Sequence, residues 1–376
     1  YSYVGVCFIK DYKSFKKFIL STKTLNGESN YLFEKITDFQ VQFVKEWFDI
    51  GNISQFEKNA YEKYFILPKK DQFIYFVNKN VIKFFQNKET INKICLRSQK
   101  NNFFLPRANK ISNNFLYYKF VHGKRFDDQK KISTLYVLNK FWNKFWNKKI
   151  PSKNINTKKF SKNLLNFYKK KTYDRIGLYF DISGTKDSKS IINDVEIPKI
   201  FDLLNSISWK ILADVKPTYC HGDFHYENLI FSSNKKITSI DPRKDFESFT
   251  NIGDLYYDLS KFLHGIIIDH KIIHNNQFNF KSYLSNKFFI SINKPKNFLS
   301  KINEFYSFCY EKKLNIYNIN IITSLIYLNI AALHHKPYNN FLFYLGKILL
   351  YHTINDVDFI EKKIKTDRIF NAKKNY

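Results

Sequence analysis

The stretch that decides the fold is HGDFHYENLIF at residues 221–231, followed by IDPR at residues 240–243. It places Asp223 in a polar loop, Asn228 five residues later and Asp241 thirteen residues beyond Asn228. Between the loop and Asp241, two short apolar runs flank a Ser-Ser-Asn turn, and they predict two short strands. The sequence therefore predicts a polar loop before these strands and a carboxylate after them.

These three polar side chains can converge around a divalent ion. Phosphoryl transfer needs such an arrangement, because its transition state is stabilised mainly by positioning and by neutralisation of charge. Mg²⁺ prefers oxygen ligands and keeps several waters, so Asn228 and Asp241 suffice to hold it together with nucleotide phosphates. Asp223 is then left off the metal, where its carboxylate can accept the proton of a substrate hydroxyl.

The composition narrows the class of protein. The chain has 376 residues, of which 44% are hydrophobic, so packed cores are expected and disorder is not the main state. Its formal net charge is +29. The lysines are spread along the chain and arginine is scarce, which argues against specific nucleic-acid recognition. Anionic small molecules such as nucleotides are natural partners of a basic field.

The cysteines and the apolar runs predict a cytoplasmic protein. Cys7, Cys95, Cys220 and Cys309 lie far apart without a CxxC pair, so neither a zinc site nor a disulfide framework is indicated. We expect free buried thiols in a reducing cytoplasm. No apolar stretch reaches the roughly 18 residues of a membrane span, and the N-terminus lacks a signal-peptide pattern. The sequence does not indicate an oligomeric state.

The segment 61–125 predicts a small sheet with one helix. A hairpin is expected over 73–85, its strands separated by a three-residue connection at 78–80. A helix over 89–99 and a further strand over 115–121 follow.

The segment 126–376 is mostly helical, so the fold class is α+β. Its periodic apolar stretches lie at about 131–148, 158–171, 197–213, 253–268, 297–314, 317–334 and 338–364.

The loop and the carboxylate after it resemble the aminoglycoside phosphotransferase and choline kinase superfamily, whose loop has the sequence His-Gly-Asp, four residues, then Asn. The resemblance implies Asp223 as the catalytic base, Asn228 and Asp241 as Mg²⁺ ligands, and ATP as the phosphoryl donor. His221 would shape the loop rather than act as an acid or base. The resemblance covers residues 62–352.

The same resemblance implies a protein-kinase-like fold of two lobes. The small sheet of residues 61–125 would be the N-lobe, and the helical residues 126–376 would be the C-lobe. The C-lobe would carry the catalytic loop at 221–228 and the metal-binding segment at 240–243.

The IDPR run resembles kinase domains of bacterial capsule and surface-polysaccharide loci, where a Gly-Asp-x-x-x-Asp-Leu helix follows. Here that helix begins GDLYYDL at residues 253–259. Asp254 is placed to cap its N-terminus. Asp258 either hydrogen-bonds back to the catalytic loop as a support or is a solvated helix carboxylate. Arg243 either meets phosphate oxygens or pairs with Asp223 or Asp258, and we favour the pairing.

The family uses a strand lysine on the α- and β-phosphates of ATP, and Lys83 in VIKFF occupies the corresponding strand. A glutamate on the next helix would orient this lysine. Glu89 is the only acid between Lys83 and Arg125, although its place at the helix start is also explained by the helix dipole. FLYYKFVHG at residues 115–123 resembles the hinge strand that contacts the adenine.

The first sixty residues contain YVGVCFIKDYKSF, NGE and EWFDIGN, which together resemble the closing portion of a sugar-nucleotidyltransferase domain. The resemblance implies an α/β remnant over 1–60, with Asp49 as its metal ligand. From the spacing alone, Asp49 is more simply the end of a capped strand. The glycine-rich start of such a domain is absent, so the remnant alone would be inactive. The missing methionine and the start at Tyr1 fit a C-terminal fragment of a bifunctional protein.

These observations predict an ATP- and Mg²⁺-dependent kinase that phosphorylates a hydroxyl of a sugar or small alcohol, for surface-polysaccharide precursor synthesis. One alternative is a choline or ethanolamine kinase. The other is a non-catalytic nucleotide-binding scaffold, which the absence of a glycine-rich loop before Phe73 would favour.

Overall fold

The computed structural model describes residues 11–21, 72–100, 104–128, 132–151, 155–233, 236–284, 286–294, 297–363 and 369. Backbone contacts divide the chain into two units, Tyr1–Pro68 and Lys69–Tyr376. In the first unit, the described part is helix α1 (Tyr12–Ser21). Asp49 lies outside the described residues, so the nucleotidyltransferase remnant stays a prediction.

The second unit begins with a small antiparallel sheet. Its elements are β1 (Gln72–Val77), β2 (Asn80–Phe85), helix α2 (Lys88–Lys100), β3 (Asn109–Lys110) and β4 (Phe115–Lys119). The strand order is β1-β2-β4-β3. A compact core of its own holds this sheet to α2, formed by Val81, Ile91, Cys95, Ala108, Leu116 and Tyr118.

The turn between β1 and β2 corrects the predicted connection. Val77 pairs with Asn80, so only Asn78 and Lys79 lie in the turn, and the predicted three-residue connection is wrong. Both residues have positive φ, 46° and 61°. Two consecutive left-handed residues make the tight turn whose twist matches that of the strands, and asparagine tolerates this conformation well.

The rest of the second unit is mostly helical. Its helices are α3 (Thr134–Phe141), α4 (Thr157–Ser183), α5 (Ile200–Asn205), α6 (Trp209–Ala213), α7 (Leu255–Ile267), α8 (His270–His274), α9 (Phe298–Glu311), α10 (Ile316–Ala331), α11 (Tyr338–Asn355) and α12 (Phe359–Lys363). Its strands are β5 (Lys124–Arg125), β6 (Ser190–Ile192), β7 (Val195–Ile197), β8 (Thr218–Tyr219), β9 (Leu229–Phe231), β10 (Ile237–Ser239), β11 (Ile252–Gly253), β12 (Phe278–Leu284) and β13 (Lys287–Ile292).

Capping side chains set where helices α4 and α7 begin. Asn156 accepts a hydrogen bond from the backbone of Lys159 and begins α4, which ends at Gly184 with φ of 70°. Asp254 accepts one from the backbone of Tyr256 and begins α7, as its position in the sequence predicted. The structure therefore confirms the predicted cap of α7.

The predicted α+β fold, with a small sheet before a mostly helical part, is confirmed. The two strands predicted after the polar loop are β9 and β10, which pair antiparallel. The four-stranded sheet β12-β13-β6-β7 was not predicted. Two of its strands have only three residues each, which is too short for an alternating pattern to show. No helix among the described residues is long and apolar enough to cross a membrane.

Candidate active site

The polar loop 221–228 is anchored by an aromatic residue and a glycine. The ring of Phe224 is fully buried, with its centroid 4.5 Å from that of Phe141 and 4.9 Å from that of Trp146. Gly222 has φ of 77°, and a Cβ there would lie 2.6 Å from the Cβ of Arg243. The buried ring of Phe224 and the lack of a Cβ at Gly222 therefore fix the backbone path of the loop.

Asp258 on α7 holds the same loop through its backbone. Its two carboxylate oxygens accept hydrogen bonds from the N–H groups of His221, at 2.7 Å, and Gly222, at 2.6 Å. Trp146 Nε1 donates a third, at 3.0 Å. Burial raises the pKa of Asp258, and these hydrogen bonds oppose that shift. Of the two alternatives, the solvated helix carboxylate is excluded, because Asp258 is fully buried.

Asp223 belongs to this loop, and its carboxylate is partly exposed. Its Oδ1 is 2.8 Å from Nζ of Lys261 on α7. Burial lowers the pKa of Lys261, but the charges of Asp223 and Tyr257 and the hydrogen bond to Asp223 together outweigh burial, and the net shift is upward. Lys261 was not identified from the sequence. The sequence did contain one indication of Lys261, because the spacing of Asp254, Asp258 and Lys261 places them on one face of a helix.

Asn228 and Asp241, the predicted metal ligands, lie on neighbouring segments. The side-chain Nδ2 of Asn228 donates to the backbone carbonyl of Asp223, at 3.0 Å. The backbone carbonyl of Asn228 accepts from the backbone N–H of Ile240, at 2.8 Å. Asp241 has φ of 57°, an uncommon conformation for a residue with a side chain.

An amide oxygen and a carboxylate are hard ligands of the kind Mg²⁺ takes, so the two side chains fit this ion if a nucleotide supplies further oxygens. Among the described residues, no group of three or more His, Cys, Asp or Glu side chains is arranged to hold a metal by itself.

Lys83 on β2 is buried and its Nζ pairs with Oδ1 of Asp241. The predicted nucleotide-binding lysine and a predicted metal ligand are thus in direct contact. The side chain of Glu89 is 80% exposed and its nearest cation is Lys93, at 3.9 Å. Glu89 therefore does not orient Lys83, because it lies on the solvent side of the first turn of α2.

Helix α2 instead presents cations to the loop. The guanidinium of Arg97 is buried and donates to the carbonyl oxygens of Cys220, His221 and Arg243, the last at 2.6 Å. Burial lowers the pKa of Arg97. One turn earlier, Lys93 Nζ lies 2.6 Å from the buried carboxylate of Asp245. Neither residue was identified from the sequence; the signal was a rare arginine on the apolar face of a helix.

Arg243 does not form the carboxylate pair that the sequence analysis favoured. Its Nε donates to the carbonyl oxygen of Asp245, at 2.9 Å, and its guanidinium lies 4.7 Å from the ring centroid of Phe167. The two expected partners are engaged elsewhere, Asp223 by Lys261 and Asp258 by the loop backbone. That prediction is wrong because helix α7 places its own lysine beside Asp223.

Several of these groups line one cavity of about 550 Å³, although Asn228 is not among its lining residues. Polar residues line it where the sheet meets the helices, including Lys83, Asp223, Asp241, Arg243 and Lys261. The small sheet, α2 and the segments between them supply the apolar lining residues Phe85, Ile94, Leu105, Ala108, Leu116 and Tyr118, together with the polar Gln72, Asn87, Thr90 and Ser98. The cavity therefore combines an apolar surface with a strongly charged one.

Known proteins were compared with this chain by sequence and by structure. No protein-family profile and no curated protein sequence matches it. Similar solved structures include the ADP-bound aminoglycoside phosphotransferase APH(2'')-Ib, with a TM-score of 0.43, 15% identity, and coverage of 80% of this chain and 97% of that one. The Plasmodium vivax ethanolamine kinase has a TM-score of 0.41, 13% identity, and coverage of 81% and 91%.

A Cryptosporidium parvum choline kinase is also similar, with a TM-score of 0.37, 10% identity, and coverage of 82% of this chain and 95% of that one.

Proposed function

We propose that this protein is an ATP- and Mg²⁺-dependent kinase that phosphorylates a hydroxyl group of a small molecule. The observation that carries the proposal is that Lys83, Asp223 and Asp241 line one and the same cavity. One end of that cavity is apolar, as an adenine requires, and the other end holds the charged groups that a phosphoryl group requires.

Asp223 is the proposed catalytic base. Its carboxylate is partly exposed in the cavity, so an acceptor hydroxyl can donate a hydrogen bond to it. The hydroxyl oxygen attacks the γ-phosphorus, a new O–P bond forms, and the bond from phosphorus to the β,γ-bridging oxygen breaks. ADP leaves, and the hydroxyl proton passes to Asp223. Lys261, at 2.8 Å, holds the carboxylate in position.

Lys83, Asn228 and Asp241 are proposed to hold the nucleotide phosphates. Lys83 would exchange its contact with Asp241 for phosphate oxygens, while Asn228 and Asp241 would hold Mg²⁺. When bound, the ion would neutralise charge that develops on the phosphate oxygens. Asp258 and Arg97 hold the backbone of the loop, so they are positioning residues rather than catalytic ones.

The acceptor class and the biological role belong to the same proposal. A sugar or another small alcohol fits the catalytic arrangement, because Asp223 is placed to receive a hydroxyl proton. The resemblance of the IDPR segment supports a role in bacterial surface-polysaccharide precursor synthesis in the cytoplasm. That role rests on the resemblance alone.

Replacing Asp223 by Asn tests the mechanism. We expect Asp223→Asn to lower ATP turnover by about 10² to 10⁴ fold, because the base is lost while the binding groups remain. Turnover is measured as ADP release with a panel of sugars, polyols and choline, and nucleotide affinity is measured in parallel by calorimetry. A D223N protein with full turnover would contradict the mechanism.

The scaffold alternative has one observation in its favour, the direct contact of Lys83 with Asp241 in place of a helical glutamate. Nucleotide binding that does not depend on Mg²⁺, without turnover of any acceptor, would support it. Saturable, Mg²⁺-dependent turnover would support the kinase.

A further inference from the structure

Four cations line the cavity that also holds Asp223. They are Lys171 and Arg175 on α4, Arg243 after β10, and Lys261 on α7, and we call them the cationic cluster. All four line the cavity together with Asp223. Lys171 Nζ and the guanidinium of Arg243 lie 4.6 Å and 4.7 Å from the centroid of one ring, that of Phe167. Three separate elements of the fold therefore place positive charge at one point.

The cluster has more positive charge than the acids around it balance. Lys261 is paired with Asp223. In the part of the chain that the structure describes, Lys171, Arg175 and Arg243 form no ion pair with a carboxylate. Lys171 and Arg175 are also one helical turn apart, where like charges destabilise a helix. The fold tolerates this repulsion without an internal partner, so an external anion is the natural counter-charge.

The surroundings of Lys171 show the cost of that repulsion. Burial, followed by the charges of Arg243, Lys261 and Arg175, lowers the pKa of Lys171 to about 7, while Asp223 opposes the shift. A nearby polar group is also incompletely bonded. Asn329 lines the cavity from α10 and donates to Thr172, at 3.2 Å, but its buried carbonyl oxygen has no hydrogen-bond partner among the described residues.

We propose that the cationic cluster binds an anionic group of the acceptor, so the acceptor carries a carboxylate or phosphate besides the hydroxyl that is phosphorylated. Asn329 Oδ1 would accept a hydrogen bond from a further hydroxyl of that acceptor. This inference rests on the proposed kinase function for the identity of the acceptor, but the binding of an anion stands on the geometry alone.

The position of the cluster favours the acceptor over the nucleotide as its ligand. In the proposed function, Lys83 binds the nucleotide phosphates, and Asn228 and Asp241 hold the Mg²⁺ bound to them. Lys171, Arg175 and Asn329 line the cavity from helices α4 and α10, whereas Lys83 lines it from strand β2 of the small sheet. The cationic cluster would repel a cationic acceptor such as choline. The aromatic rings at this end of the cavity carry lysine and arginine beside them, so the geometry disfavours choline.

The test compares charge-matched acceptor probes and two matched variants. D-glycerate and glycerol 3-phosphate are the anionic alcohols, glycerol is the neutral one and choline the cationic one. Binding is measured by calorimetry with Mg²⁺ and a non-hydrolysable ATP analogue present. Lys171→Gln removes one charge from the cluster. Lys169→Gln removes one charge from an exposed position on the same helix and serves as the control.

We expect the anionic alcohols to bind wild type and K169Q at least about tenfold more tightly than glycerol or choline. K171Q should lose about five- to tenfold of that affinity, keep its affinity for the ATP analogue, and unfold at the same or a higher temperature, because a buried charge is removed. The melting temperature keeps a folding defect from imitating a binding defect.

Three outcomes would overturn the inference. They are the absence of binding by either anionic alcohol, equal binding by wild type and K171Q, and a loss of affinity in K171Q that is confined to the ATP analogue. The last would assign the cluster to the nucleotide. If the anionic alcohols bind through Lys171 but no ADP is released with any acceptor, the kinase proposal fails and the anion site stands.

Discussion

His221 lies within the catalytic loop and yet its surroundings keep it neutral. Burial, followed by the positive charge of Arg97, lowers the pKa of His221 to about 4. Its Nδ1 accepts a hydrogen bond from the backbone N–H of Asp223, at 3.3 Å, which requires the unprotonated nitrogen. At neutral pH the imidazole therefore carries no charge and accepts a hydrogen bond from the loop backbone, in line with the proposal that Asp223 and not His221 is the base.

This state of His221 predicts a dependence of stability on pH. The folded pKa lies below the ordinary value of about 6.5, so the unfolded chain binds a proton that the folded chain refuses. Stability from this group is complete above pH 6.5 and is lost as the pH falls towards 4. The slope is about 1.4 kcal/mol per pH unit within that window.

His221→Asn isolates the effect, because Asn can accept the same hydrogen bond and does not titrate. Urea unfolding of both proteins between pH 5 and 8 should show wild type losing stability relative to H221N only below about pH 6.5. A constant difference across that range would contradict a neutral, buried His221.

Helix α2 is the element that ties the small sheet to the loop. Its Arg97 and Lys93 lie one turn apart and contact the loop backbone and Asp245 respectively. Kinase-like resemblance led us to expect a glutamate from this helix directed at Lys83. The helix instead supplies cations, and the backbone carbonyls of the loop are their acceptors. The contact between the two parts of the fold is thus made by charge-assisted hydrogen bonds.

Arg97→Ala should destabilise the protein by about 3 kcal/mol, since three buried carbonyl groups lose their donor. Arg97→Lys should restore little, because an ammonium cannot reproduce the planar fork. Both variants should lower turnover, because the loop that holds Asp223 loses its support. Thermal and urea unfolding are the measurements. Leu96→Ala, at a half-exposed position on the same helix, should change stability by less than about 1 kcal/mol.

At the scale of the whole molecule, two separate cores flank the cavity. The small sheet and α2 share one core, and the helices share another that is rich in aromatic residues. Polar contacts from Lys83, Lys93 and Arg97 connect the two parts across the site. Separate cores joined by polar contacts let a ligand change the contacts at the site without disturbing either core.

The net charge of +29 belongs to this scale too. It predicts that the association of an anionic nucleotide slows with salt, because the field of the protein is screened beyond about 10 Å at 0.1 M ionic strength. The association rate of a fluorescent ADP analogue should fall several-fold between about 0.02 and 0.2 M NaCl. A neutral fluorescent nucleoside is the control and should show no such change. Equal salt dependence for both would exclude steering.

The loop sequence predicted much of the site. Asp223, Asn228 and Asp241 follow from their spacing, and the strands between them are β9 and β10 as expected. Lys83 followed from the family resemblance, which asks for a lysine on an apolar strand. The roles of Lys261, Arg97 and Lys171 were not predicted, because their partners lie far away along the chain. The spacing of these residues on their helices does not distinguish them from solvent-exposed lysines and arginines.

The sequence by itself determined the α+β class, the polar loop, the two strands after it and the cap of α7, since each depends on neighbours within a few residues. Only the tertiary structure decided which charges meet. It paired Lys83 with Asp241 and Lys261 with Asp223, turned Glu89 to solvent, and gathered Lys171, Arg175 and Arg243 at one cavity wall. The physical reason is that Coulomb energies depend on distance and burial, which spacing along the chain does not fix.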